Sequence, residues 1–134
     1  MCYEILPHTA DLRVHARGQT LEALFRNALR GMSAVIQPAA MAEPPNSERA
    51  LSLTAPDATA LLVDFLSEAL ALAHVNREIY PDVRFEELSP RALRATLRVV
   101  PVHTFIEDVK AVTYHGAEVK ATHHGYEVTI VYDI

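Results

Sequence analysis

The chain has 134 residues, half of them apolar and 22% charged, which suits one globular domain with a core of its own. Its net charge of −5 argues against a domain that grips nucleic acid through a broadly basic surface. The single cysteine, Cys2, excludes an internal disulfide and argues against a cysteine-based zinc site, and four scattered glycines rule out a glycine-rich phosphate loop.

The elements follow in chain order. MCYEIL has no basic region followed by a long apolar run, so no secretory leader is expected. Leu12, Val14 and Ala16 alternate with Arg13, His15 and Arg17, the pattern of a half-buried strand. Thr20 is placed to cap a helix from Leu21 to Ile36, with Leu24, Phe25, Ala28, Leu29 and Met32 at helical spacing and Pro38 beyond its end. Pro38 to Glu48 holds three prolines and few large apolar residues, so it reads as a loop. Leu51 and Leu53 mark a strand. Asp57 caps a second helix whose apolar face runs from Leu61 to Ala73 and which should end near His74.

Leu93, Ala95, Leu97 and Val99 form another alternating strand. Val112 to Ala121 reads as a strand interrupted at Gly116, where a bulge is expected. Tyr126 to Tyr132 alternates again, with His123-His124-Gly125 as a hairpin turn before it. This pattern predicts an α+β fold: two helices packed on one face of a largely antiparallel β-sheet, in a single domain over 1–134. Apolar runs stay below the length of about 18 residues that a membrane span requires, so no membrane partner is expected and a cytoplasmic setting is the simplest reading.

Four places carry polar residues with possible chemistry. The first is Pro7-His8-Thr9-Ala10-Asp11, three proton- or metal-binding side chains at the mouth of a strand, although His, Thr and Asp are also common turn formers. The second is Asp64 with Glu68, which share a helix face and repel unless a cation is near; a solvated face explains them equally. The third is VKAVTYH at 109–115. There Lys110 either snorkels to water or contacts an anion, and His115 falls on the opposite side of the strand. The fourth is the chain's last pair of residues. The Asp133 side chain and the Ile134 carboxylate put two negative groups together, and a third such as Asp11 would suit a hard divalent cation. A solvated Asp133 is the plain alternative. The seven histidines offer only a loose arrangement for zinc, in His115 with His123-His124. No nucleophile elbow is present, so nothing suggests a self-sufficient hydrolase or NTPase.

Five of these stretches together resemble the archease family: PHTAD at 7–11, TLEALF at 20–25, LLVDFLSEAL at 61–70, VKAVTYH at 109–115 and the closing YDI. The resemblance implies a compact archease-like α+β fold with a divalent metal held by Asp11, Asp133 and the carboxylate of Ile134. The ion implied is calcium, with Mg²⁺ and Mn²⁺ as alternatives. It also implies a function without turnover of its own, as activator of an RtcB-type RNA ligase in tRNA splicing and RNA repair. That ligase uses GTP, and its guanylylation and multiple turnover are what an archease stimulates. RNA is then met only through the ligase. His8, Asp64, Lys110 and His115 are expected to surround the metal or face the partner. Two other readings stand beside it: a general chaperone or modulator of RNA-processing enzymes without metal delivery, and a metal-dependent hydrolase using His8 or His115 as base.

Overall fold

The computed structural model describes residues 2–6 and 11–134. Within them lie β1 (Tyr3–Leu6), β2 (Asp11–Gly18), α1 (Leu21–Ile36), β3 (Ser47–Thr54), α2 (Ala58–Asn76), β4 (Glu78–Leu88), β5 (Ala92–Pro101), β6 (Ala111–Thr113), β7 (Lys120–Thr122) and β8 (Gly125–Asp133). The α+β class holds, and all described strand pairs are antiparallel. The strands divide between two sheets. The first runs β1-β2-β8-β6, with β7 also on β8; the second runs β3-β5-β4.

The second sheet was not foreseen as a separate layer because β4 carries no period-2 signal. Its first four residues, Glu78 to Pro81, are all buried, and the register against β5 slips between Ile79 and Asp82. The stretch from Val112 to Ala121 also differs from expectation. It is two short strands, and Gly116 (φ 67°) belongs to the turn region between them rather than to a bulge.

Both helices form where the capping signals predict. Thr20 Oγ1 accepts from Ala23 N at 3.0 Å, and Asp57 Oδ1 accepts from Ala60 N at 2.8 Å. The first helix α1 packs against β2 of one sheet and β4 of the other, while α2 packs against β6 and β4. Phe25 of α1, Phe65 of α2 and Phe85 of β4 meet with ring centroids 5.7–6.3 Å apart, which ties both helices to the second sheet. By length and composition α2 is apolar enough to cross a membrane. In this fold, however, Leu61, Leu62, Phe65, Leu66, Ala69 and Ala73 are buried, as in the core helix of a globular domain.

At one end of the first sheet the backbone is tight. Gly125 has φ 131°, and a Cβ there would strike the backbone oxygen of Gly18.

Candidate metal centre

The first sheet places one row of side chains inward and one outward. Leu12, Val14 and Ala16 of β2 are buried opposite Tyr132, Ile130 and Val128 of β8. The alternate positions therefore share the outer face. There Asp11 pairs directly with Asp133, and Ala111 of β6 pairs with Asp133 from the other side. Two carboxylates stand opposite each other on one face, with a small side chain beside them. Like charges so placed repel, and a cation between them would relieve that.

Lys110 is exposed and joins this corner through its backbone, whose N–H donates to Asp133 O at 2.7 Å. The segment leading to it is held by α2, because His74 Nε2 donates to Val109 O at 2.8 Å. Ile134 follows Asp133 directly and is half-buried against the core.

Asp64 is half-buried on α2 and accepts a hydrogen bond from the Tyr114 hydroxyl. That bond, then burial, then the charges of Asp64 and Asp57 raise the Tyr114 phenol above its ordinary range. A second tie, Val119 N to Thr59 Oγ1 at 3.0 Å, fixes the same loop to α2. Glu68 lies exposed, four residues along the helix from Asp64. His115 is exposed in the turn after Tyr114, and no hydrogen bond or ion pair of its side chain is found among the described residues. His8, with the rest of Pro7 to Ala10, lies outside the described residues.

The structure thus brings together Asp11, Asp133 and the backbone of Lys110, with Ile134 adjoining in sequence. It joins Asp64 instead to Tyr114. The Tyr114–Asp64 bond was not legible in the sequence, since nothing local links a loop tyrosine to a helix acid fifty positions away. Among the described residues no three His, Cys, Asp or Glu side chains gather as a metal-ligand set. The acid pair alone supplies two oxygen-bearing side chains. Carboxylate oxygens of this kind suit a hard divalent cation.

A model of the Archease protein family (MTH1598/TM1083) matches residues 3–134. The archease proteins of Methanosarcina mazei and Methanosarcina acetivorans are 37% and 35% identical to this chain, each over 98% of it and 95% of the relative. Among solved structures, protein 1598 of Methanobacterium thermoautotrophicum has a TM-score of 0.81 at 26% identity, covering 99% of both chains. A Thermotoga maritima protein described as an archease and possible chaperone shares the fold, with a TM-score of 0.62 at 16% identity over 96% of this chain and 94% of that one.

Proposed function

This chain belongs to the archease family, and from that premise we propose that it is an accessory protein that activates an RtcB-type RNA ligase in the cytoplasm. In this reading it promotes GTP-dependent guanylylation and multiple turnover of the ligase, and it does not itself join RNA ends. The observation that carries the reading is the direct register of Asp11 on Asp133, with Lys110 bound to Asp133 through its backbone.

Asp11, Asp133 and the Ile134 carboxylate would hold a divalent cation, calcium in the first instance. Such a cation would neutralise the carboxylates and offer open positions to an anionic oxygen of the partner's nucleotide. The chain's own residues prepare that contact. The β2–β8 ladder fixes both acids, so little order is lost on docking. Lys110 adjoins Asp133 through its backbone, and its exposed side chain would suit a phosphate. The Tyr114–Asp64 bond fixes the loop that carries His115 against α2.

The test is ligase guanylylation and multiple-turnover joining with the wild-type chain, with Asp11→Asn, with Asp133→Asn, and with residues appended after Ile134. Loss of stimulation in all three altered forms is expected. Full stimulation by both asparagine variants overturns the reading. It would favour the chaperone role that the Thermotoga maritima description carries, which needs no metal.

A further inference from the structure

The arginines of the two sheets are treated differently. On the second sheet Arg49, Arg84, Arg94 and Arg98 all lie 2.5–3.8 Å from a carboxylate oxygen. On the outer face of the first sheet, Arg13 and Arg17 of β2 are exposed and have no carboxylate partner among the described residues. None of the residues outside that set is acidic. Glu127 stands directly across from Arg17, yet its carboxylate is turned to His15 Nε2 at 3.6 Å. Among the described residues neither guanidinium has a carboxylate to neutralise it.

Arg17 also forms one wall of an open cleft of about 690 Å³ between the α1 N-terminus and the β7–β8 turn. That volume suits a nucleotide-sized ligand. Among the lining residues, exposed His124 and Tyr126, half-buried against the core, carry planar rings; Gln19 and Asn27 carry amides for base edges, and Glu127 adds one carboxylate. Asn27 spends its Nδ2 on Arg17 O at 2.8 Å, which leaves its Oδ1 for a ligand. From this cleft the outward row runs Arg17, His15, Arg13, Asp11 towards the acid pair. Arg13 and Arg17 are separated by roughly 13 Å along the strand, and the whole row spans roughly 20 Å. Stacked single-stranded RNA covers that length in about six steps.

We propose that the outer face of the first sheet is a track for single-stranded RNA, with one nucleotide seated in the cleft beside Arg17 and with Arg17 and Arg13 contacting its phosphates. This rests on the ligase reading above for the source of the RNA, and it adds a direct contact where that reading has none. An acidic peptide could satisfy the arginines, but it would leave the ring faces and amides of the cleft without a role. With a net charge of −5, affinity for RNA alone falls near the weak end for sequence-independent contacts, about 10⁻⁴ M at physiological salt.

The test is fluorescence anisotropy of a short labelled single-stranded RNA with the full chain, read as a salt series, beside an RNA-free guanylylation assay on the ligase. Arg13→Ala with Arg17→Ala should lower the slope of log affinity against log salt by about 1.4, at about 0.7 per phosphate contact. Tyr126→Leu should weaken binding at least fivefold with the slope unchanged. Guanylylation stimulation should stay at the wild-type level in the arginine variant. Four results overturn the proposal: no binding by the wild type, an unchanged slope, polyglutamate competing as well as RNA, or guanylylation lost with the two arginines. The last would assign them to the ligase surface instead. Failure of the wild type to stimulate guanylylation would strike the ligase reading and leave the RNA measurement standing.

Discussion

Asp11 and Asp133 face each other across β2 and β8, and the backbone oxygen of Asp133 is bound by Lys110 N–H at 2.7 Å. The pair sits where β2 begins and β8 ends, on the two central strands of the first sheet, and the register keeps the two backbones opposite each other. In chelator, Asp133→Asn should therefore raise stability by about 0.2–1 kcal/mol, the usual scale for relieving a like-charged cross-strand pair. With Ca²⁺ at about 100 times its dissociation constant, the wild type should gain about 2.7 kcal/mol and the variant little. Thermal melts with and without calcium check both halves.

A different acid governs the pH dependence. Glu78 is buried on β4 and accepts from Arg49 Nε at 2.5 Å, Arg49 Nη2 at 2.8 Å and the Tyr80 hydroxyl at 2.8 Å. Burial by itself pushes the carboxyl up. The hydrogen bonds from Arg49 and Tyr80, with the Arg49 charge, outweigh it, and the net shift is downward. A lowered native value means the stabilisation is present above the unfolded carboxylate value of about 4.3 and is lost as pH falls through the native one. Acid titration of stability should be flatter in Glu78→Gln. Arg49→Ala leaves the Glu78 carboxylate with only the Tyr80 hydroxyl as donor and should cost about 1–3 kcal/mol by chemical denaturation.

Tyr114 offers a spectroscopic handle on the loop beside the candidate site. Subtracting the alkaline absorbance titration of Tyr114→Phe from that of the wild type isolates it among five tyrosines. Its midpoint should lie above the ordinary value of about 10, since the hydrogen bond to Asp64 leads the causes that raise it. Asp64→Asn should bring it down. The bond's contribution to stability is present below the unfolded tyrosine value and fades as pH rises through the native one. An unshifted midpoint in Asp64→Asn would sink the assignment.

Two glycines with positive φ should respond unequally. Gly116 (φ 67°) faces open space, so Gly116→Ala carries only the left-handed backbone cost, about 1–2 kcal/mol. Gly125 (φ 131°) adds a collision with the backbone of Gly18, and Gly125→Ala should cost clearly more. Denaturation midpoints of the two variants, compared side by side, decide it.

Much of the fold was legible because most elements bury one face only. Alternation marked β2, β5 and β8, and the caps Thr20 and Asp57 marked both helices. What escaped was the short β1 and β4, which is buried on both sides at its start, and with β4 the division into two sheets. In the site, the residue types of Asp11 and Asp133 were suggestive, but their meeting depends on a long-range register that no local pattern encodes. The same holds for Tyr114 on Asp64 and for the lack of a carboxylate on Arg13 and Arg17 among the described residues, since pairing is a property of the assembled sheet.

The ladder between β2 and β8 also bears on how the molecule is made. It joins His15 to Thr129, 114 apart in sequence, and Asp11 to Asp133, farther apart still. Contacts of such span close late and slow the search for the native state. The two carboxylates come together only when this loop has shut, so their pairing reports completion of the β2–β8 ladder. A partly assembled molecule, however helical, would not present the acid pair.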